Sequence, residues 1–230
     1  RLNVIYVIVS EKFKKMIENR CKIFFQVCEE IILDPQFDQH SSHRMQNRMD
    51  KATKHGLSFH EYLPVNKELE KKLLEIGKEW QASIKGAHLF LGHLNFFESY
   101  IGKRWFYVQD GEDMTSMVML SQINAQGGWL LKFLATVPDA FPGTSEYLMF
   151  SLLKKLREES CLFLTKGMLP VDSLNEIQGI SNLSQFFLKK IYKLISLIFR
   201  FKKRKEYWQR YHPKYSPAYL IFLNSKIGFN

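Results

Sequence analysis

The chain contains no run of about 18 uncharged apolar residues, so no helix is expected to cross a bilayer. Cysteine is scarce. Cys21, Cys28 and Cys161 are odd in number and follow neither metal nor redox spacing, which leaves no disulfide framework and fits small buried thiols in a reducing compartment. Glycine (12) and proline (7) are few, while hydrophobic residues reach 46% and aromatics 14%, a balance that excludes a disordered or low-complexity chain. Phosphate-loop and dinucleotide glycine fingerprints are missing, as are a nucleophile elbow and any Ser-His-Asp ordering. His40, His43, His55 and His60 are spaced too irregularly for zinc, and no metal is expected.

What is present is basic charge in one place. The net charge is +10, and Lys189–Lys214 carries ten Lys/Arg against the single acid Glu206, a local +9. Such a patch calls for a polyanionic partner, either phospholipid headgroups or nucleic acid. Arg1 opens the chain in place of Met and is followed at once by an apolar run, so the sequence is expected to be a piece of a longer chain.

Along the chain, Leu2–Val9 reads as a buried strand and Ser10 as the cap of a helix over Glu11–Asn19. Cys21–Gln26 and Glu29–Leu33 read as two strands with a turn between them. A polar break, Asp38–His43, precedes a basic helix from Arg44 to His55, stopped by Gly56; Leu57–Leu63 returns as a strand. Lys67–Ala82 carries a helical apolar stripe. Adjacent strands follow at Trp105–Val108, Met114–Ile123 and Trp129–Leu134, broken by turns at Gln109–Glu112 and Ala125–Gly128. A helix over Thr144–Glu159, a strand at Cys161–Leu164, helices near Leu183–Phe199 and Lys202–Tyr211, and a strand at Tyr219–Leu223 complete an α/β chain.

The sharpest local feature is Val137–Glu146, which leaves a strand, turns through Pro138, Pro142 and Gly143, and opens a helix at Thr144. Backbone N–H groups at a helix start can hold an anion or a developing oxyanion, and Glu146 in the first turn can act as a base or orient an amine. An ordinary capped helix explains the same residues. Phe186–Lys205 combines apolar Phe187, Ile191, Leu194, Ile195 and Ile198 at helical spacing with Lys189, Lys190 and Lys193 at other angles. It reads either as an interfacial helix or as a core-packed helix with a solvated basic face. Trp208, Tyr207 and Tyr211 are candidates for base stacking or for the core. Arg44, Arg48, Lys51 and Lys54 fall on about one side of their helix, where they could meet a nucleic-acid backbone or simply solvent.

Pro138–Leu148 resembles the R-P-D-A-P-x-G-T-M-D-F-L motif of the phosphatidylglycerol lysyltransferase C-terminal domain family. Further resemblances follow in order. Lys166–Leu174 is similar to L-G-M-A-P-x-x-x-L, Tyr211–Leu220 to F-x-P-x-W-x-P-R-Y-L, and Arg44–Glu61 to a basic helix-and-strand of the family. The resemblance implies tandem acetyltransferase-like (GNAT) domains with mixed, largely antiparallel sheets. Residues 1–65 would be the remainder of the first domain and 66–230 the second, catalytic one. It implies aminoacyl transfer from aminoacyl-tRNA to a phospholipid at the inner face of a cytoplasmic membrane, with aminoacyl-tRNA and anionic phospholipid as partners and no cofactor. Glu146 and Thr144 are then the expected catalytic residues. Asp139, Gly143, Lys166, Lys202, Lys203, Arg204, Lys205, Trp208 and Arg210 are expected to bind substrate, and Arg44, Arg48 and Lys51 to contact tRNA. The chain departs from the pattern at Glu146 (Asp in the family), at Trp208 and Arg210 (both Lys) and at Ala218 (Arg). Those departures keep two other readings open, a non-catalytic membrane- or RNA-binding module and an acyl-CoA-dependent N-acyltransferase.

Overall fold

A computed structural model describes residues 5–21, 23–37, 43–64, 66–83 and 96–223. In chain order the elements begin with β1 (Ile5–Ser10), α1 (Glu11–Ile17), β2 (Ile23–Leu33), α2 (His43–His55), β3 (Ser58–Tyr62) and α3 (Lys67–Ser83). They continue with β4 (Lys103–Asp110), β5 (Asp113–Ile123), β6 (Gly128–Thr136), α4 (Thr144–Glu158) and β7 (Leu164–Pro170). The last are β8 (Ile177–Gln178), α5 (Asn182–Ile198), α6 (Phe201–Gln209) and β9 (Lys214–Phe222). The α/β class expected from the sequence is what the chain adopts. Most of the polar break at Asp38–His43, and the first residues of the opening strand, lie outside the described residues.

The chain forms two compact units, one from residues 33–166 and one from both ends, 1–32 with 167–230. These limits differ from the 65/66 boundary drawn on motif order. β3 lies before that boundary, yet it pairs with β4 beyond it.

In the continuous unit, β3, β4, β5 and β6 form an antiparallel meander, and β7 joins β6 in parallel through Trp129↔Leu164 and Leu130↔Thr165. Alternation along the strands divides the side chains between two faces. Trp105, Met117, Met119 and Ala135 meet Leu73 and Ile76 of α3 in a core that also takes in Tyr62 and Phe96. Arg104 points to the other face, stacks its guanidinium 4.9 Å from the Phe106 ring, and pairs with Glu159 just past α4. α4 therefore covers that face, burying Leu148, Leu152 and Leu156. Gly128 is the tight point of the sheet, since a Cβ there would stand 2.2 Å from the Phe163 carbonyl oxygen.

In the other unit, β9 runs between β1 and β2, antiparallel to both, and β8 adds to β2. Ser10 caps α1 as expected, accepting from the Phe13 amide at 3.3 Å. Two expectations change here. β1 is largely exposed (Val7 62%), because it is an edge strand paired only to β9 among the described residues. β2 is a single strand where a turn was expected, and the register slip between Gln26 and Cys28 is a bulge at Val27. The Val27 carbonyl accepts from the Val171 amide at 3.1 Å and the Tyr192 hydroxyl at 3.4 Å, which occupies the group that the bulge frees. The strand expected at Cys161–Leu164 begins only at Leu164 and runs on through the Lys166–Pro170 motif.

Candidate functional site

The Val137–Gly143 turn is held by its own backbone. Ala140 donates to the Val137 carbonyl at 3.3 Å, and the Thr144 amide donates to Phe141 at 3.0 Å. Gly143, with φ +103°, supplies the left-handed residue that lets the chain enter α4. Thr144 is 1% exposed and its hydroxyl also donates to the Phe141 carbonyl, at 2.7 Å. Its side chain shapes the turn. Asp139 is exposed at the turn's outer edge.

One turn into α4, Glu146 is buried at 7% exposure and forms an ion pair with Arg48 of α2. The sequence placed these two residues in different roles, one catalytic and one facing tRNA. The structure joins them into one charged pair. A guanidinium is the natural partner for a carboxylate withdrawn from water, because its charge and N–H donors replace part of the solvation that burial removes.

Two helical turns beyond Arg48, His55 stacks on Phe141 of the motif, ring centroids 3.9 Å apart and 15° from parallel. Its Nε2 lies 3.0 Å from the Asp110 carboxylate at the end of β4. Tyr147 donates its hydroxyl to the Leu57 carbonyl at 2.9 Å, and burial pushes that phenol up against the lowering effect of Ser151. Thus α2 and the residue after its C-terminal glycine grip the motif at Glu146, Phe141 and Tyr147. Sequence reasoning missed His55, whose only signal was its place beside the stop at Gly56. Further along the two helices a cavity of about 280 Å³ opens, lined by Met49, Thr53, Tyr147, Phe150, Ser151 and Arg157 among others. Arg157 donates from Nε to the Pro35 carbonyl at 3.0 Å.

The remaining predicted residues are distributed as follows. Lys51 is exposed on α2, and Arg44 lies in that helix's first turn. Lys166 donates to the Leu131 carbonyl at 3.2 Å in the β6–β7 pair. In the unit built from both chain ends, Lys202, Lys203 and Arg204 are exposed on α6. Lys205 pairs with the buried Glu29 at 2.8 Å; burial works against its charge, but Glu29 outweighs it and raises its pKa. Trp208 is 5% exposed and packs edge-on against Tyr207 at 5.1 Å, a core position. Arg210 is exposed and lies 5.5 Å from the Tyr207 ring centroid. Ala218 is fully buried in β9, opposite Cys28 of β2.

Residues 1–222 match the family model described as "Phosphatidylglycerol lysyltransferase, C-terminal". The chain belongs to this family. Solved structures agree on the fold. L-PGS from Bacillus licheniformis superimposes with a TM-score of 0.74 at 17% identity, covering 96% of this chain and 68% of that one. The C-terminal domain of a putative lysylphosphatidylglycerol synthetase from Agrobacterium fabrum gives 0.69 at 15% identity, with the same coverage of 96% and 68%. A conserved protein of unknown function from Bacteroides thetaiotaomicron gives 0.64 at 9% identity, covering 96% and 70%. Among curated proteins none matches the sequence. The fold is the one these structural relatives share.

Proposed function

We propose that the chain transfers an aminoacyl group from aminoacyl-tRNA to a phosphatidylglycerol-like phospholipid, acting peripherally on the cytoplasmic face of a membrane through tandem acetyltransferase-like domains. The observation that carries this reading is the family match over nearly the whole chain. In the reaction the acceptor hydroxyl oxygen attacks the ester carbonyl carbon, and the bond to the tRNA 3′-terminal ribose oxygen breaks. The hydroxyl proton ends on that ribose oxygen. The donor ester is already activated, so no cofactor is needed.

Glu146, held in place by its ion pair with Arg48, orients the aminoacyl ammonium or relays the proton. Thr144 and Gly143 hold the turn that opens α4, and the developing oxyanion would be met by first-turn amides of that helix that the turn does not itself use. Asp139 and Lys166 flank the substrate, while Lys202, Lys203, Arg204 and Arg210 neutralise phosphate. Arg44 and Lys51 contact the tRNA backbone, with Arg48 committed to Glu146.

The test incubates the chain with tRNA charged with radiolabelled lysine or alanine and phosphatidylglycerol vesicles, comparing wild type with Glu146→Gln. Labelled lipid should form with wild type and fall at least about a hundredfold in the variant, the scale expected for a lost general base. Equal product from both removes Glu146 from the chemistry. Binding of tRNA and vesicles without turnover on any donor would instead mark a non-catalytic module, and calorimetric CoA binding an acyl-CoA enzyme.

A further inference from the structure

α5 is seated on its unit by one narrow stripe. Tyr192 donates to the Val171 carbonyl at 2.7 Å, Ser196 to the Asp172 carbonyl at 2.9 Å, and Leu188 packs against the Ile23–Phe25 cluster. Ser181 caps the helix, accepting from the Ser184 amide. These contacts fix its rotation. The side turned away carries Leu183, Phe186, Phe187, Ile191, Leu194 and Ile198, each between 52% and 67% exposed. Monomeric proteins rarely leave a continuous apolar crest of this size in water.

The cations are placed around that crest. Lys189 and Lys193 are exposed along one flank, and Lys190 reaches over the Phe186 ring, 4.4 Å from its centroid. Arg200, in the left-handed region (φ 54°), turns the chain directly into α6, which presents Lys202, Lys203 and Arg204 to solvent.

We propose that α5 is an interfacial helix whose outward apolar face enters the headgroup region of an anionic bilayer, with its lysines and the α6 cations on the lipid phosphates. Insertion removes the crest from water while each ammonium stays at headgroup depth. RNA would satisfy the lysines but offers no apolar medium for Phe187 or Leu194. A second copy of the chain would cover the crest but leave the lysine flank and the α6 cations without an anionic partner from the facing helix. No helix among the described residues is long and apolar enough to cross a membrane, so α5 lies on the surface. This docking rests on the peripheral membrane placement proposed above but needs no aminoacyl donor.

The test is co-sedimentation of the 230-residue chain with vesicles of phosphatidylcholine alone or with phosphatidylglycerol, over a range of salt. Wild type should partition onto the anionic vesicles more strongly than onto the neutral ones. Phe187→Ser/Leu194→Ser, both at exposed positions and checked for folding by circular dichroism, should lower partition at least about tenfold. Lys189→Gln/Lys193→Gln should remove part of the salt-sensitive binding and leave the apolar part. Partition unchanged in the serine pair overturns the proposal. So does absence of vesicle binding, whether the chain then binds tRNA or sediments as a dimer that the serine pair dissolves. Vesicle binding without aminoacyl transfer would sink the enzymatic reading alone, and transfer to detergent-dispersed lipid with no α5-dependent docking would sink this one alone.

Discussion

Arg48 and Glu146 are 98 positions apart in the chain, and their contact decides what each can do. Arg48→Met leaves the withdrawn carboxylate without its guanidinium. The arginine is a third exposed, so the cost falls between that of surface and fully buried pairs, about 1–3 kcal/mol by urea denaturation. Adding Glu146→Gln to that variant should recover part of the loss, and strict additivity of the two changes would argue against a coupled pair. Gly128→Ala tests a different contact. With the Phe163 carbonyl 2.2 Å from the new Cβ, backbone must move, and a loss above about 2 kcal/mol is expected in thermal melts.

Acid stability also rests on single residues. Burial alone would raise Glu70, but hydrogen bonds from Tyr100, Tyr62 and Lys67 outweigh it and hold its carboxyl below the ordinary value of 4.5. Glu159 is lowered chiefly by its bond to Arg104. A carboxylate depressed on folding contributes stability that is complete above its unfolded pKa and is lost as pH falls through the folded one. Stability should therefore decline below about pH 4.5, and Glu70→Gln should flatten that limb in pH-dependent denaturation; an unchanged slope would remove Glu70 from the account. Glu146 was visible in the sequence as a first-turn carboxylate. Its partner was not, because local spacing does not encode which face of α2 meets α4.

At the scale of elements, α2 acts as the brace of the motif. His55→Ala should loosen the Phe141 turn by about 0.5–1.5 kcal/mol, the worth of a ring pair, and hasten amide exchange over residues 138–143. His55→Phe keeps the stack and gives up Asp110, so it should exchange more slowly than the alanine variant. Helix ends were legible where Ser10 and Gly56 act locally, whereas the Ser181 cap of α5 emerged only from the structure. The β-meander was legible too, through alternation and its turns. β2 was not. A bulge and a turn share the same break in apolar pattern, and only the donors from Val171 and Tyr192 distinguish them. Trp208 shows the same limit from the other side, because an aromatic beside lysines has no local mark of being core.

Taken whole, the molecule combines a continuous unit with one assembled from both chain ends. Composition gave the basic patch and motif order gave the family, but neither reveals that residues near the start pair with the last strand. Ile23 faces Phe222 and Ile5 faces the same residue from the other side. That pairing sets an order of events during synthesis. β8 is made before β9 and already offers β2 a partner, whereas β1 must wait, at roughly 5–20 residues per second of synthesis, until β9 is made. A stop codon just before Lys214 should therefore do far more harm than its position near the end implies. It leaves β1 without its described partner and one edge of β2 open, and the shortened chain should appear in the insoluble fraction while the 230-residue chain stays in solution. β9 is thus a clasp, since a copy that lacks it cannot hold β1 against β2.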